Sequence, residues 1–98
     1  MIKHIVMWNL KETAEGATKA ENAAKIKQGL EALVGQIEGL LSAQVGTGIN
    51  EKGFDLCLYS EFASKEALAF YQSHPLHDNV RQFVHKVVTE RVVCDFEA

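Results

Sequence analysis

The chain lacks the features that mark nucleic-acid binding, secretion or a membrane span. Its 98 residues include 10 basic and 13 acidic side chains and a net charge of -3, so it has no basic excess to neutralise phosphates. Nucleic acid and membrane surfaces are therefore poor candidate partners. The opening MIKHIVMWNL is too short for a membrane span or for a signal peptide with its cleavage site, so we predict a cytoplasmic protein.

Cysteine is scarce, and the usual metal and nucleotide motifs are absent. Cys57 and Cys94 have no CxxC spacing, which argues against a zinc site and against a disulfide framework. The segment HPLHD brings two histidines and an aspartate together, but its proline interrupts the helical phase that would place the histidines on one face. No glycine-rich phosphate loop is present. We therefore expect no metal and no cofactor.

The chain does contain enough apolar residues for one core. Hydrophobic residues make up 47% of it, and 98 residues is the size of a single domain. The patterns along the chain follow the order strand, helix, strand, strand, helix, strand. We therefore predict one α+β domain over residues 1–98, a ferredoxin-like βαββαβ sandwich with a four-stranded antiparallel sheet.

Local signals give the boundaries of these elements. Alternating apolar residues predict strands over residues 2–10, 40–49 and 54–62 and in the terminal TERVVCDF. Thr18 and Glu21 form a capping box that predicts a helix start, and the apolar stripe of that helix continues to Ile37. Ser64 is a good N-cap for a second helix, which should break before Pro75 and restart there.

The predicted strands carry apolar residues on both faces, although helices cover only one face of such a sandwich. Val6, Trp8, Cys57 and Tyr59 are expected on the face away from the helices, with part of VVCDF. A monomer rarely exposes an apolar face of this size, so we predict a homodimer packed sheet to sheet around a barrel-like interior. The two cysteines would lie two strand spacings apart, about 9–10 Å, which excludes a disulfide within the chain.

Several segments resemble the stress-responsive A/B barrel family, also called Dabb. They are KHIVMWNLK, YSEFAS, YQSHPLHDNV and the terminal VVCDF. The most specific element is the pattern Tyr-x-x-His-Pro-x-His after a short helix. The resemblance covers nearly the whole chain. It implies a dimeric α/β barrel of ferredoxin-like subunits, with a cavity between sheet and helices that admits a small molecule.

The chain also resembles one plant branch of that family, the olivetolic acid cyclase-like polyketide cyclases. These enzymes close polyketide thioesters by aldol chemistry without a metal or organic cofactor. The resemblance implies that His77 and Tyr71 are catalytic and that His4 is a further pocket histidine. The branch places a tyrosine near residues 25–28, where this chain has none. The specific substrate of the branch is therefore not implied.

The position of His77 favours a neutral imidazole. It lies in the first turn after Pro75, where free backbone N–H groups and the helix dipole disfavour the imidazolium ion. A neutral imidazole can abstract a proton α to a carbonyl while a donor such as the Tyr71 hydroxyl polarises that carbonyl. An equally strong alternative is structural, with His77 bonded to backbone and Tyr71 filling the core.

The remaining histidines and the strand residues complete the sequence-based hypothesis. His74 is expected to be a helix cap or a loop contact, and His85 to be solvated beside Arg81. Ligand binding is assigned to four strand residues: His4, Val6, Trp8 and Tyr59. For His4, a hydrogen-bonded histidine in the core is an equal alternative.

The leading function is a homodimer that binds a small apolar carbonyl compound, with cofactor-independent acid/base chemistry as its candidate activity. Two alternatives are a non-catalytic stress-response dimer and a cofactor-free monooxygenase, the latter resting on architecture alone.

Overall fold

Four long strands form one antiparallel sheet, and the helices pack on one of its faces. The computed structural model describes residues 1–98. Its strands are β1 (Ile2–Leu10), β2 (Thr13–Ala14), β3 (Ala17–Thr18), β4 (Leu40–Thr47), β5 (Leu56–Phe62) and β6 (Val88–Glu97). Its helices are α1 (Lys19–Glu31), α2 (Lys65–Gln72) and α3 (Pro75–Val87). The order β4-β5-β1-β6 confirms the predicted ferredoxin-like sheet, while β2 and β3 add a small hairpin that was not predicted.

Strand β1 lies at the centre of the sheet and has one buried and one partly exposed set of side chains. His4, Val6 and Trp8 are buried, whereas Ile5 and Met7 are half-buried on the opposite face. The expectation that Val6 and Trp8 face away from the helices is therefore wrong. Both alternating sets of β1 are largely apolar, so the pattern defines two faces without saying which one the helices cover.

Helix α1 starts as predicted but ends earlier. Its capping box is formed, and its last helical residue is Glu31. The chain continues through turns in which Gly35 has a φ of +87°, a conformation outside the helical region. Leu33 and Ile37 nevertheless remain buried. The apolar stripe extends beyond the end of the helix, because side chains in the following turns can also reach the core.

The break between α2 and α3 occurs at the predicted proline. Ser64 caps α2 by accepting a hydrogen bond from the Ala67 backbone N–H. His74 caps α3, since its Nδ1 accepts a hydrogen bond from the Leu76 backbone N–H at 3.1 Å. Both predicted caps are confirmed. Pro75 is the first residue of α3, so His77 lies in the first turn of that helix.

The two cysteines lie on the strands that flank β1. Cys57 pairs with Met7, and Cys94 pairs with Ile5. Both thiols are free. The three helices are each too short, or too polar, to cross a bilayer.

Candidate functional site

A cavity of about 370 Å³ lies between the inner face of the sheet and the helices. Its apolar wall consists of Val6, Trp8, Leu30, Leu58 and Val84. Its polar wall consists of His4, Gln72, His77, Arg81, His85 and Arg91. The size and the mixture of an apolar wall with a few polar groups are typical of sites for small organic ligands.

The structure brings most of the predicted site residues together but separates Tyr59 from them. His4, Val6, Trp8 and His77 all line the cavity. Tyr59 lies on the outer face of the sheet, where it pairs with Ile5. Its hydroxyl donates to the Glu61 carboxylate and accepts from the Lys3 ammonium group, both also on that face. Tyr59 therefore does not reach a ligand bound in this cavity.

Tyr71 lies directly behind His77 and is not part of the cavity wall. The two rings are stacked, with centroids 4.0 Å apart and planes inclined by 22°. Tyr71 is 2% exposed and also packs edge-on against Phe62. Burial raises the pKa of Tyr71 to about 12, against a smaller opposing effect of the Arg81 charge. Tyr71 thus remains a neutral phenol and holds one face of the His77 ring.

His77 carries a neutral imidazole at physiological pH because its pKa is strongly lowered. Burial and, after it, the nearby charge of Arg81 lower the pKa of His77 to about 4. His4 acts in the same direction, while the Tyr71 backbone carbonyl and Asp78 oppose the shift. Desolvation and the neighbouring guanidinium are the two largest causes of the lowered pKa of His77.

Two residues that line the cavity each have a buried polar atom without a hydrogen bond of good geometry. These atoms are Nδ1 of His77 and Nε1 of Trp8. Buried polar groups are nearly always paired, and an unpaired one costs about 1–3 kcal/mol. Each of these groups lowers the stability of the fold, and such unfavourable groups are common at functional sites.

His4 is oriented by a carboxylate that the sequence patterns did not reveal. Its Nδ1 contacts Oδ1 of Asp95, the residue opposite His4 on β6. A carboxylate at Nδ1 favours the tautomer that carries its proton there and leaves Nε2 as an acceptor. Asp95 could be found only from the pairing of β1 with β6, because 91 residues separate the two partners.

Four further polar residues line the cavity that the sequence did not assign to it: Gln72, Arg81, His85 and Arg91. His85 was expected to be solvated, and it does remain exposed, but it lines the cavity mouth. Arg81 reaches across the helix break, where it donates to the Gln72 carbonyl at 3.1 Å and to Asp78 at 2.6 Å. Arg91 pairs with Trp8 across β1 and β6. Nowhere do three metal-binding side chains gather closely enough to hold an ion.

The sequence matches the model of the stress responsive A/B barrel domain, Dabb, over residues 2–98. The chain belongs to the Dabb family. The resemblance in its sequence motifs is thereby confirmed. No curated protein matches the chain closely.

Solved structures support the same fold for this Dabb chain. A dimeric ferredoxin-like protein from Bacteroides fragilis is 27% identical, with a TM-score of 0.84 over 99% of this chain and 95% of that one. A protein from Arabidopsis thaliana is 24% identical, with a TM-score of 0.83 over 100% and 95% of the chains. Hydroxynitrile lyase from Passiflora edulis is 16% identical, with a TM-score of 0.80 over 97% and 90%. Several of the similar structures are dimeric.

Proposed function

We propose that this Dabb domain binds a small, mostly apolar carbonyl compound in the cavity beside His77 and promotes cofactor-independent acid/base chemistry on it. The observation that carries the proposal is a cavity of about 370 Å³ whose wall contains a neutral, partly buried imidazole. The apolar wall suits a hydrocarbon or aromatic body, and the polar groups opposite it suit a carbonyl oxygen.

His77 is the proposed general base. Its Nδ1 is buried, so a ligand in the cavity would meet the ring edge that carries Nε2. Neutral Nε2 can accept a proton from a carbon α to the carbonyl when the two atoms come within about 3 Å. The enolate that develops would be stabilised by the guanidinium of Arg81, whose charge already acts on His77.

Tyr71 is better assigned a positioning role than direct contact with the substrate. It stacks on His77 but does not line the cavity. Tyr71 is itself buried and packed edge-on against Phe62, so its stacked ring would limit rotation of the His77 ring, as general-base catalysis requires.

The proposal includes a cytoplasmic homodimer joined through the outer face of the sheet. That face presents Met7, Cys57, Val92, Cys94 and Phe96 without helices over them. Val92 and Phe96 are 41% and 47% exposed. A second copy would remove this apolar surface from water, and the dimeric neighbours support the same assembly.

A binding role without catalysis is the second candidate, and the low pKa of His77 favours it. A base is most effective when its pKa lies near the working pH. An imidazole with a pKa of about 4 has little driving force for proton abstraction at pH 7. The cavity would then serve ligand binding in a non-catalytic dimer.

Deuterium exchange separates these two functions. Aryl methyl ketones and simple thioesters exchange their α-protons slowly in D₂O, and NMR records the loss of the α-proton signal. We expect the protein to accelerate exchange of at least one compound, and His77→Ala to lower that rate by about 100-fold or more.

The matched control is His74→Asn, which changes the histidine outside the cavity and retains a good helix N-cap. It should exchange at the wild-type rate. Equal rates for wild type and His77→Ala, or binding without any exchange, would remove the catalytic proposal in favour of the binding role.

A further inference from the structure

The basic residue types that line the cavity set it apart from the rest of this acidic chain. The sequence contains two arginines, Arg81 and Arg91, and both line the cavity. Three of the four histidines line it as well, and no aspartate or glutamate does. Although the chain has 13 acidic and 10 basic residues, no carboxylate side chain lines its cavity.

The two arginines differ in how many of their N–H groups already form hydrogen bonds within the protein. Arg81 donates to Asp78 and to the Gln72 carbonyl, which leaves three of its five N–H donors. Asp95, the other nearby carboxylate, is directed at His4. Arg91 makes no ion pair and no side-chain hydrogen bond. Arg91 is thus the guanidinium at the cavity that no carboxylate engages.

Arg91 also stands in a defined place relative to the deep part of the cavity. It is exposed on β6, directly opposite Trp8 on β1, so the two side chains leave the same face of the sheet next to each other. A ligand that packs on Trp8 and the apolar wall therefore extends toward Arg91 at the opening.

We propose that the ligand is a carbonyl compound that carries a carboxylate, with the carboxylate held by Arg91 at the cavity mouth and the apolar body packed on Trp8. A planar guanidinium matches a carboxylate through two parallel hydrogen bonds, which gives both affinity and orientation. Anchoring the acid at the mouth places the carbonyl of a short keto acid toward His77. The inference refines the ligand of the proposed function and rests on that function.

The single tryptophan of the chain provides a direct test of binding. Trp8 lines the cavity, so its indole N–H signal in a ¹⁵N–¹H NMR spectrum reports occupancy without interference from other tryptophans. The probes are 4-oxo-4-phenylbutanoate and its methyl ester, which differ in charge but share the aryl ketone. Inorganic phosphate is the third probe and separates a carboxylate site from a general anion site.

We expect the acid to shift the Trp8 signal with a dissociation constant at least about tenfold lower than that of the ester. Arg91→Gln should weaken the acid about tenfold and leave the ester unchanged, and Arg91→Lys should restore part of the loss. Lys52→Gln, which removes a loop cation away from the cavity, should bind both probes as the wild type does. The wild-type preference for the acid should also decline with added salt.

Each contrary result has a different meaning. Equal binding of acid and ester would overturn the carboxylate assignment and leave the proposed carbonyl site intact. Competition by millimolar phosphate at least as strong as that by the acid would overturn it in favour of a phosphate-bearing ligand. No Trp8 shift with either organic probe at millimolar concentration would overturn this inference and would count against the proposed ligand site itself.

Discussion

The two faces of the sheet are built from the same strands, but the helices cover only one of them. On the inner face, Val6, Leu58 and Val45 form a row across three strands, and each is 2% exposed or less. On the outer face, the adjacent row of Met7, Cys57 and Gly46 has no helix above it. Both rows consist of small or apolar side chains, so composition does not distinguish them. They differ in whether helices pack over them.

Polar contacts on the two faces differ in the same way. The inner face pairs buried His4 with Asp95 at the edge of a cavity. The outer face has a partly buried cluster of Lys3, Tyr59 and Glu61 that lies on the side without helices. The polar groups of the inner face thus border a cavity, whereas those of the outer face lie on a surface that no helix covers.

Substitutions at two neighbouring residues of β5 should show the largest difference in stability between the two faces. Leu58→Ala leaves a void in the inner core and should lower the free energy of unfolding by about 2–5 kcal/mol. Cys57→Ala removes one atom from the uncovered face and should cost about 1 kcal/mol or less. Urea unfolding at one fixed protein concentration measures both. Similar losses for the two variants would contradict the distinction.

Acid should lower the free energy of unfolding through His77, which lies on the inner side of the sheet. Its pKa is about 4 in the native state, against an ordinary value of about 6.5 when unfolded, so the unfolded chain binds more protons between these values. Stability is therefore fully present above about pH 6.5, and up to about 3 kcal/mol is lost as the pH falls to about 4.

Urea unfolding at half-unit pH intervals measures this slope. His77→Gln carries no titrating group and should flatten it. The carboxylates with lowered pKa values, Asp55 and Asp78 and three glutamates, lose their contribution only below about pH 5, so the interval from about pH 6.5 to 5 reports His77 without them. An unchanged slope in His77→Gln would show that the native imidazole titrates normally.

Assembly should depend on the outer face alone. Val92→Glu places a carboxylate opposite Met7 and, in a symmetric dimer, buries two such charges. We expect the dimer dissociation constant to rise about tenfold to a hundredfold, as measured by analytical ultracentrifugation. Ile49→Glu, in the exposed loop after β4, should leave it unchanged. A wild type that sediments as a monomer at micromolar concentration would reject the outer-face dimer.

Local signals predicted the elements well because caps and breaks act over a few residues. The capping box at Thr18, the Ser64 cap and the His74 cap before Pro75 all form as expected. The end of α1 was missed because its apolar stripe continues through turns. The orientation of Val6 and Trp8 was also missed, since both sets of side chains on β1 are apolar.

The site was only partly predictable for a different reason. His77 and His4 could be named from sequence motifs, but Asp95 and Arg91 depend on the β1–β6 register, and Tyr59 was placed at the ligand although it lies on the outer face. Contacts between residues more than 80 positions apart leave no local pattern in a single sequence.

The sequence by itself determined the element order, the helix break at Pro75 and the two apolar faces of the sheet, because propensity, capping and alternation are local properties. Only the tertiary structure decided which face the helices cover, and that choice placed His77 over a cavity with Tyr71 behind it. It also brought both arginines to the wall of that cavity. These outcomes depend on packing between distant segments, where desolvation and charge are fixed by neighbours that the chain meets only when folded.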